Sequence, residues 1–243
     1  MKNNLLVVDW DYFFPTNERP DDENLRPERG NWSLWDWGHK ETEFHINDVW
    51  AIRGAMFKRA GIDLPQTSSK ELSFWDRFNF KPNSSTLYFA DSNMFAGTAK
   101  FLGYKHVYLF DAHHDCSYRL KKAEEFFDGE SFSCEDWMLN HYFSGSKLHV
   151  RYPAWKTYAM DEPILGELGV DRQIDDGKDL SPIFDRVFVC RSGAWTPPWI
   201  DHKFMTFLRA CPISRVVNMD NLKIRNLDEE QFQGFFDAFG RTI

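Results

Sequence analysis

Short apolar runs that stop at a carboxylate are the feature that most constrains this chain. Leu5-Leu-Val-Val-Asp9, Thr86–Asp91 and His106–Asp111 each carry β-branched or aromatic residues into an aspartate. Runs of this length without polar alternation read as strands buried on both faces, as in a parallel sheet covered by helices. Leu148–Tyr152, Arg186–Cys190 and Arg215–Met219 are three more strand candidates. Helical patterns fall between them. Val49, Ile52, Met56 and Ala60 share one face ahead of Gly61, and Ser92 is placed to cap a helix carrying Phe95, Ala99 and Leu102 as far as Gly103. Asp228 can cap a last helix with Phe232, Phe235, Phe236 and Phe239. The alternation predicts an α/β fold with three αβα layers and a mainly parallel sheet. The polar segment 16–38 is too long for a plain connector and reads as a functional loop. Without repeats or low-complexity tracts, residues 1–243 read as a single domain.

Composition narrows the function. The chain has 29 Lys plus Arg against 37 Asp plus Glu, a formal net charge of −8. That balance argues against unaided nucleic-acid binding and suits a cationic substrate. No apolar run approaches the roughly 20 residues that span a bilayer, so no membrane partner is expected. Met1–Asp11 reads as a strand, since it ends in Asp9 and Asp11 without a small-residue cleavage site. Cys116, Cys134, Cys190 and Cys211 lie far apart with no CxxC pair, as expected of reduced thiols in the cytoplasm. Core packing accounts for most of the 23 Phe. Several of the 10 Trp, including Trp10, Trp32, Trp35, Trp37, Trp137, Trp195 and Trp199, sit among polar residues. There an indole face can line a pocket for a planar cation.

Ligands collect at the carboxyl ends of parallel strands. Three strands end there in acid, Asp9 with Asp11, Asp91, and Asp111 with Asp115, and carboxylates so packed repel unless a cation sits among them. The strongest motif is Asp111-Ala-His113-His114-Asp115. It delivers Asp, His and Asp at alternate positions, a ligand set suited to Mn²⁺, Zn²⁺ or Fe²⁺ more than to Ca²⁺. Asp9-Trp-Asp11 fits two classes when taken alone. It resembles the opening motif of haloacid-dehalogenase phosphatases, but that family has Thr or Val where this chain has Phe13, and Asp111–Asp115 would then lack a role. As the other half of a metal site it completes Asp111, His113 and Asp115.

Asp111-Ala-His113-His114-Asp115 resembles the D-A-H-x-D motif of the arginase and agmatinase (ureohydrolase) superfamily, which includes the histone deacetylases, and Asp9-Trp-Asp11 is similar to its D-x-D motif. Trp37-Gly-His39-Lys-Glu41, Cys134-Glu-Asp-Trp137, Val150-Arg-Tyr-Pro-Ala-Trp155 and Cys190-Arg-Ser192-Gly-Ala-Trp-Thr-Pro-Pro-Trp199 look like stretches of the arginase-like family that contains the peptide arginases. The resemblance implies hydrolysis of the guanidinium of arginine in a ribosomally made precursor peptide, giving ornithine and urea. It also implies two Mn²⁺ ions.

Carried over by position, the first ion falls to Asp111, Asp115 and Asp9, and the second to His113, Asp111, Asp9 and Asp11. Asp115 becomes the proton donor to the leaving nitrogen, with His114, His141 or His39 relaying protons. Glu41 would grip the guanidinium in a bidentate way, with Trp37, Glu135 and Trp195 as further substrate residues, although Glu135 and Asp136 could equally cap a helix at Trp137–Tyr142. Two departures stand out. The D-x-D motif precedes D-A-H-x-D here, as in a circular permutation, and the superfamily's further metal-binding His is replaced by Asn93. An amide oxygen is a weaker ligand than imidazole, so one metal position is expected to be weakened. Two other readings stay open: a metallohydrolase of a small guanidine or acetylated amine, and an arginine-binding module impaired in turnover.

Overall fold

The computed structural model describes residues 2–15, 50–51, 54, 64, 66–68, 70–118, 132–156, 159–161, 164 and 168–225. Loop 16–38, the helix expected after Asp228, and the sites proposed at Trp37, His39 and Glu41 lie outside them. Of the helix expected from Val49, Trp50, Ala51 and Gly54 are described, and they are helical.

Among the described residues nine strands are formed: β1 Lys2–Asp9, β2 Asn79–Phe80, β3 Leu87–Ala90, β4 Tyr104–Phe110, β5 Lys147–Tyr152, β6 Asp171–Ile174, β7 Ile183–Phe184, β8 Arg186–Cys190 and β9 Val216–Asn218. Seven make one sheet in the order β6-β5-β4-β1-β8-β3-β9, with every neighbouring pair parallel. The short β2 and β7 pair separately, also in parallel. All six expected strands lie in the large sheet.

Alternation along the strands feeds two cores. Leu6 and Val8, Tyr108 and Phe110, and Val187 and Val189 face one; Leu5 and Val7, Val107 and Leu109, and Phe188 and Cys190 face the other. Helix α1, Trp137–Phe143, covers the second face through Trp137, Met138 and Leu139. Helix α2, Asp201–Ala210, covers the first through Phe204, Phe207 and Leu208, so the sheet lies between helices in three layers. The α2 helix is an addition to the expected elements. Its apolar residues repeat at helical spacing, and it comes directly after a 3₁₀ turn opened by Pro198.

One expected helix is replaced. Ser92 does cap, accepting from the Met94 N–H, but the segment it caps is a short 3₁₀ turn, Asn93–Gly97, and not a helix reaching Leu102. Gly97 explains part of this: a Cβ there would meet the Phe132 ring at 2.8 Å and the Trp137 Cβ at 3.0 Å. The turn is thus pressed against α1, where Asn140 Nδ2 donates to the Gly97 carbonyl at 2.6 Å.

The first core is largely aromatic. Phe207 lies 4.6 Å from the Trp75 ring, 5.0 Å from Trp10, 5.1 Å from Phe13 and 5.7 Å from Phe74. Trp10, read as a pocket candidate, is therefore a core residue. Phe207→Ala would leave a hole that this rigid set of rings cannot close. It is expected to cost roughly 3–5 kcal/mol, read as a lower urea midpoint with an unchanged slope.

Candidate metal centre

Strand pairing sets up the site. Val8 is level with Phe110 in the parallel register, and the next residues on the two strands are Asp9 and Asp111. Both continue the alternation of Leu5, Val7, Val107 and Leu109, which puts them on the face covered by α1. Beyond the strand ends the chain turns tightly. Asp9 accepts from the Asp11 N–H at 3.2 Å, and Asp111 Oδ1 from the His113 N–H at 2.8 Å. Asp11 Oδ1 takes the Ala112 N–H at 3.2 Å, which ties the two loops together.

These turns bring Asp9, Asp11, Asp111, His113 and Asp115 to one place. Asp11, Asp111 and His113 each offer a ligand atom within 4.8 Å of the others. His113 Nδ1 lies 3.0 Å from Asp11 Oδ2 and 3.5 Å from Asp111 Oδ1. Asp115 and Asp9 meet through Asn93, whose Nδ2 donates to Asp115 Oδ2 at 2.5 Å and to Asp9 Oδ2 at 3.1 Å. All six metal ligands expected from the sequence are therefore gathered here. All but His113 are buried.

Several observations fit a cation in this cluster. Asp111 Oδ2 and Asn93 Oδ1 are buried without a hydrogen-bond partner, a costly state for polar atoms. The donor set of carboxylates, one imidazole and one amide suits a divalent ion of borderline hardness. Burial also sets the carboxylates against one another. It pushes Asp111 well above the ordinary carboxylate range, with the charges of Asp11, Asp115 and Asp9 adding to the effect. Burial likewise pushes Asp115 up to about 7, although nearby His113 and the indole hydrogen bond act the other way. For Asp11 burial is outweighed by the hydrogen bond and charge of His113, and its pKa falls.

Two contacts were not foreseen from the sequence. Trp137 Nε1, from the start of α1, donates to Asp115 Oδ2 at 2.7 Å. The general signal was available, since a buried indole N–H usually finds a partner. The buried Lys156 donates through Nζ to the Ala112 carbonyl, inside the Asp111–Asp115 loop.

The remaining candidates scatter. Trp195 stands at the centre, its ring 5.1 Å from that of His113. His114 is fully buried and accepts from the Cys116 N–H through Nδ1. His141 is also fully buried, with Nε2 2.8 Å from the Ala96 carbonyl, and burial lowers its pKa to about 4. It is neutral at pH 7 and sealed from solvent. Glu135 is exposed. Asp136 is the residue preceding α1, but its carboxylate takes the Ser133 N–H and makes no cap bond to the helix.

Asp91 does not join the other acids. Arg191 Nε donates to it at 2.7 Å, and the Gly193 N–H at 3.2 Å. Arg191 also donates to Asp201 at 2.7 Å, and Arg225 donates to Asp201 at 2.6 Å, to the Gly193 carbonyl at 2.8 Å and to the Thr196 carbonyl at 2.9 Å. The quartet pins the loop that carries Trp195.

Comparison of the chain with family models, with curated proteins and with solved structures returned no match.

The raised carboxylates give a signed prediction. The folded protein keeps protons on Asp111 and Asp115 above pH 4, where the unfolded chain has lost them, so stability falls as pH rises toward 7. Asp11 works in the opposite direction, and only below about pH 4. Buried His141 adds the opposite trend only below about pH 6.5, so chelator-treated protein is expected to melt at lower temperature at pH 8 than at pH 7. Added Mn²⁺ should raise the melting temperature more at pH 8 than at pH 5, since at pH 8 it no longer competes with protons. A larger increment at pH 5 would contradict this assignment of protons.

Proposed function

We propose that this chain is a divalent-metal-dependent hydrolase that acts on the guanidinium of arginine side chains in a ribosomally made peptide, leaving ornithine and urea. The observation that carries the reading is the convergence of Asp9, Asp11, Asp111, His113 and Asp115 at the carboxyl ends of β1 and β4. Asp11, Asp111 and His113 would hold one cation, and Asp9 and Asp115, with Asn93, a second. A bound cation would supply Lewis acidity that yields hydroxide from water near neutral pH. Mn²⁺ is proposed from the arginase-like resemblance.

The chain's own groups suit such a substrate. Trp195 beside His113 offers a flat face on which a planar cation can lie. Asp115 would hand a proton to the departing amine from Oδ1, the oxygen that the donors Asn93 and Trp137 leave to it. Asp91, already bound to Arg191, leaves the grip on the guanidinium to other carboxylates. Of those expected, Glu41 lies outside the described residues and Glu135 is exposed. The four cysteines form no disulfide with one another, which supports a cytoplasmic setting. Among the described residues no helix is long and apolar enough to cross a membrane.

A second reading is favoured by Asn93, which bridges Asp9 and Asp115 through its N–H groups. A related hydrolase of small guanidines or acetylated amines working with one ion, or an arginine-binding module, would tolerate that bridge.

Incubation of an arginine-containing peptide and of free arginine with the protein and Mn²⁺, analysed by mass spectrometry, tests the proposal. Ornithine in the peptide alone is expected. Asp111→Asn and His113→Ala should each slow conversion by more than the roughly 10–100-fold typical of residues that only support metal ligands. Conversion of free arginine alone would move the assignment to a small-molecule enzyme. Binding of peptide without conversion would move it to the binding module.

A further inference from the structure

Asn93 is 4% exposed, and its two amide atoms are in opposite states. Nδ2 donates to Asp115 at 2.5 Å and to Asp9 at 3.1 Å, while Oδ1 is buried without a partner. Asp115 Oδ2 takes a second donor, Trp137 Nε1, at 2.7 Å. The gap between Asp9 and Asp115 is thus bridged by N–H groups, the role that a cation would otherwise fill. The neighbouring group differs: Asp111 Oδ2 is buried without a partner, and His113 Nδ1 faces two carboxylates.

We propose that the centre takes its divalent cations unequally, the first at Asp11, Asp111 and His113, the second only when the Asn93 amide turns over. This rests on the metal-dependent reading above and goes beyond it by assigning the order of loading to one side chain. The second ion must displace the amide from Asp9 and Asp115, and the turned amide then presents Oδ1 to it. The position of the turn helps keep the amide in place. It is pressed onto α1 at Gly97, and the Asn140 side chain and His141 Nε2 meet the Gly97 and Ala96 carbonyls. Each charge-assisted bond given up is worth roughly a factor of ten or more in an equilibrium constant, so the second ion should bind about 100-fold more weakly than the first.

Titration of chelator-treated protein with Mn²⁺ alone, monitored by calorimetry and electron paramagnetic resonance, tests this without any assay of turnover. The wild-type protein should take one equivalent tightly, with the spectrum of an isolated ion, and a second about 100-fold more weakly. Asn93→His should take two within about tenfold of each other, with the spectrum of an exchange-coupled pair. Trp137→Phe, which keeps an aromatic side chain and removes the other donor to Asp115, should tighten the second equivalent by about tenfold. Two equal equivalents in the wild-type protein would overturn the unequal loading and leave the metal-dependent reading standing. A single equivalent in a folded Asn93→His would overturn the role given to Asn93. Absence of binding in every form would overturn the metal-dependent reading itself, and the loading order with it.

Discussion

Carboxylates at the ends of adjacent strands repel each other, and the interior of this fold holds four of them within a single cluster. Their mutual repulsion is large where water is scarce, and it must be offset locally. His113 offsets it for Asp11 and Asp111; the amide of Asn93 and the indole of Trp137 do so for Asp9 and Asp115. Main-chain N–H groups of Asp11, Ala112 and His113 take up further oxygens. The sheet exists around this arrangement in a definite sense. A shift of one residue between β1 and β4 would turn one of the two strands inside out and separate Asp9 from Asp111.

Much of this was legible before the fold. Strands buried on both faces leave a nearly unbroken apolar signature, as at β1, β3, β4 and β8, and the more polar runs at Leu148–Tyr152 and Arg215–Met219 also became strands of the large sheet. Strand β6 left no such trace, because an edge strand reading Asp-Arg-Gln-Ile is half exposed and polar. Residues contiguous in sequence, Asp111 to Asp115, declared themselves as a polar cluster by spacing. Contacts made across the fold did not: nothing local links Trp137 or Lys156 to that loop. Asp91 shows the opposite error. At a strand end it looked like one more member of the acidic set, and only the partner supplied by the end of β8, Arg191, gave it another role. The helix expected after Ser92 failed for a related reason. Its cap was correctly read, but the crowding of Gly97 against α1 comes from tertiary packing.

Backbone strain marks the two walls of the site. Asp115 and Ser192 are both buried and both hold positive φ, +47° and +53°. Aspartate tolerates that conformation better than most residues, and serine less so. At Ser192 the neighbouring bonds enforce it: its N–H meets Cys190 Sγ, and its carbonyl accepts from the N–H groups of Trp195 and Thr196. The rigidity that fixes Trp195 against His113 is thus maintained at a local conformational cost, as is common near sites that bind or react.

The ion-paired quartet of Asp91, Arg191, Asp201 and Arg225 bears on how the molecule is made. Asp9 leaves the ribosome early, yet its strand lies between β4 and β8, which emerge only after residues 104 and 186. Arg225, which fastens the Gly193 and Thr196 carbonyls, comes later still. A nascent chain therefore carries Asp9 and Asp11 unassembled until the Asp111–Asp115 loop has emerged, and the wall that orients Trp195 closes only once Arg225 has followed. On the proposed reading, a cation can be captured only once the loop after β4 has joined the end of β1, so shorter chains are poorly placed to scavenge metal from their surroundings.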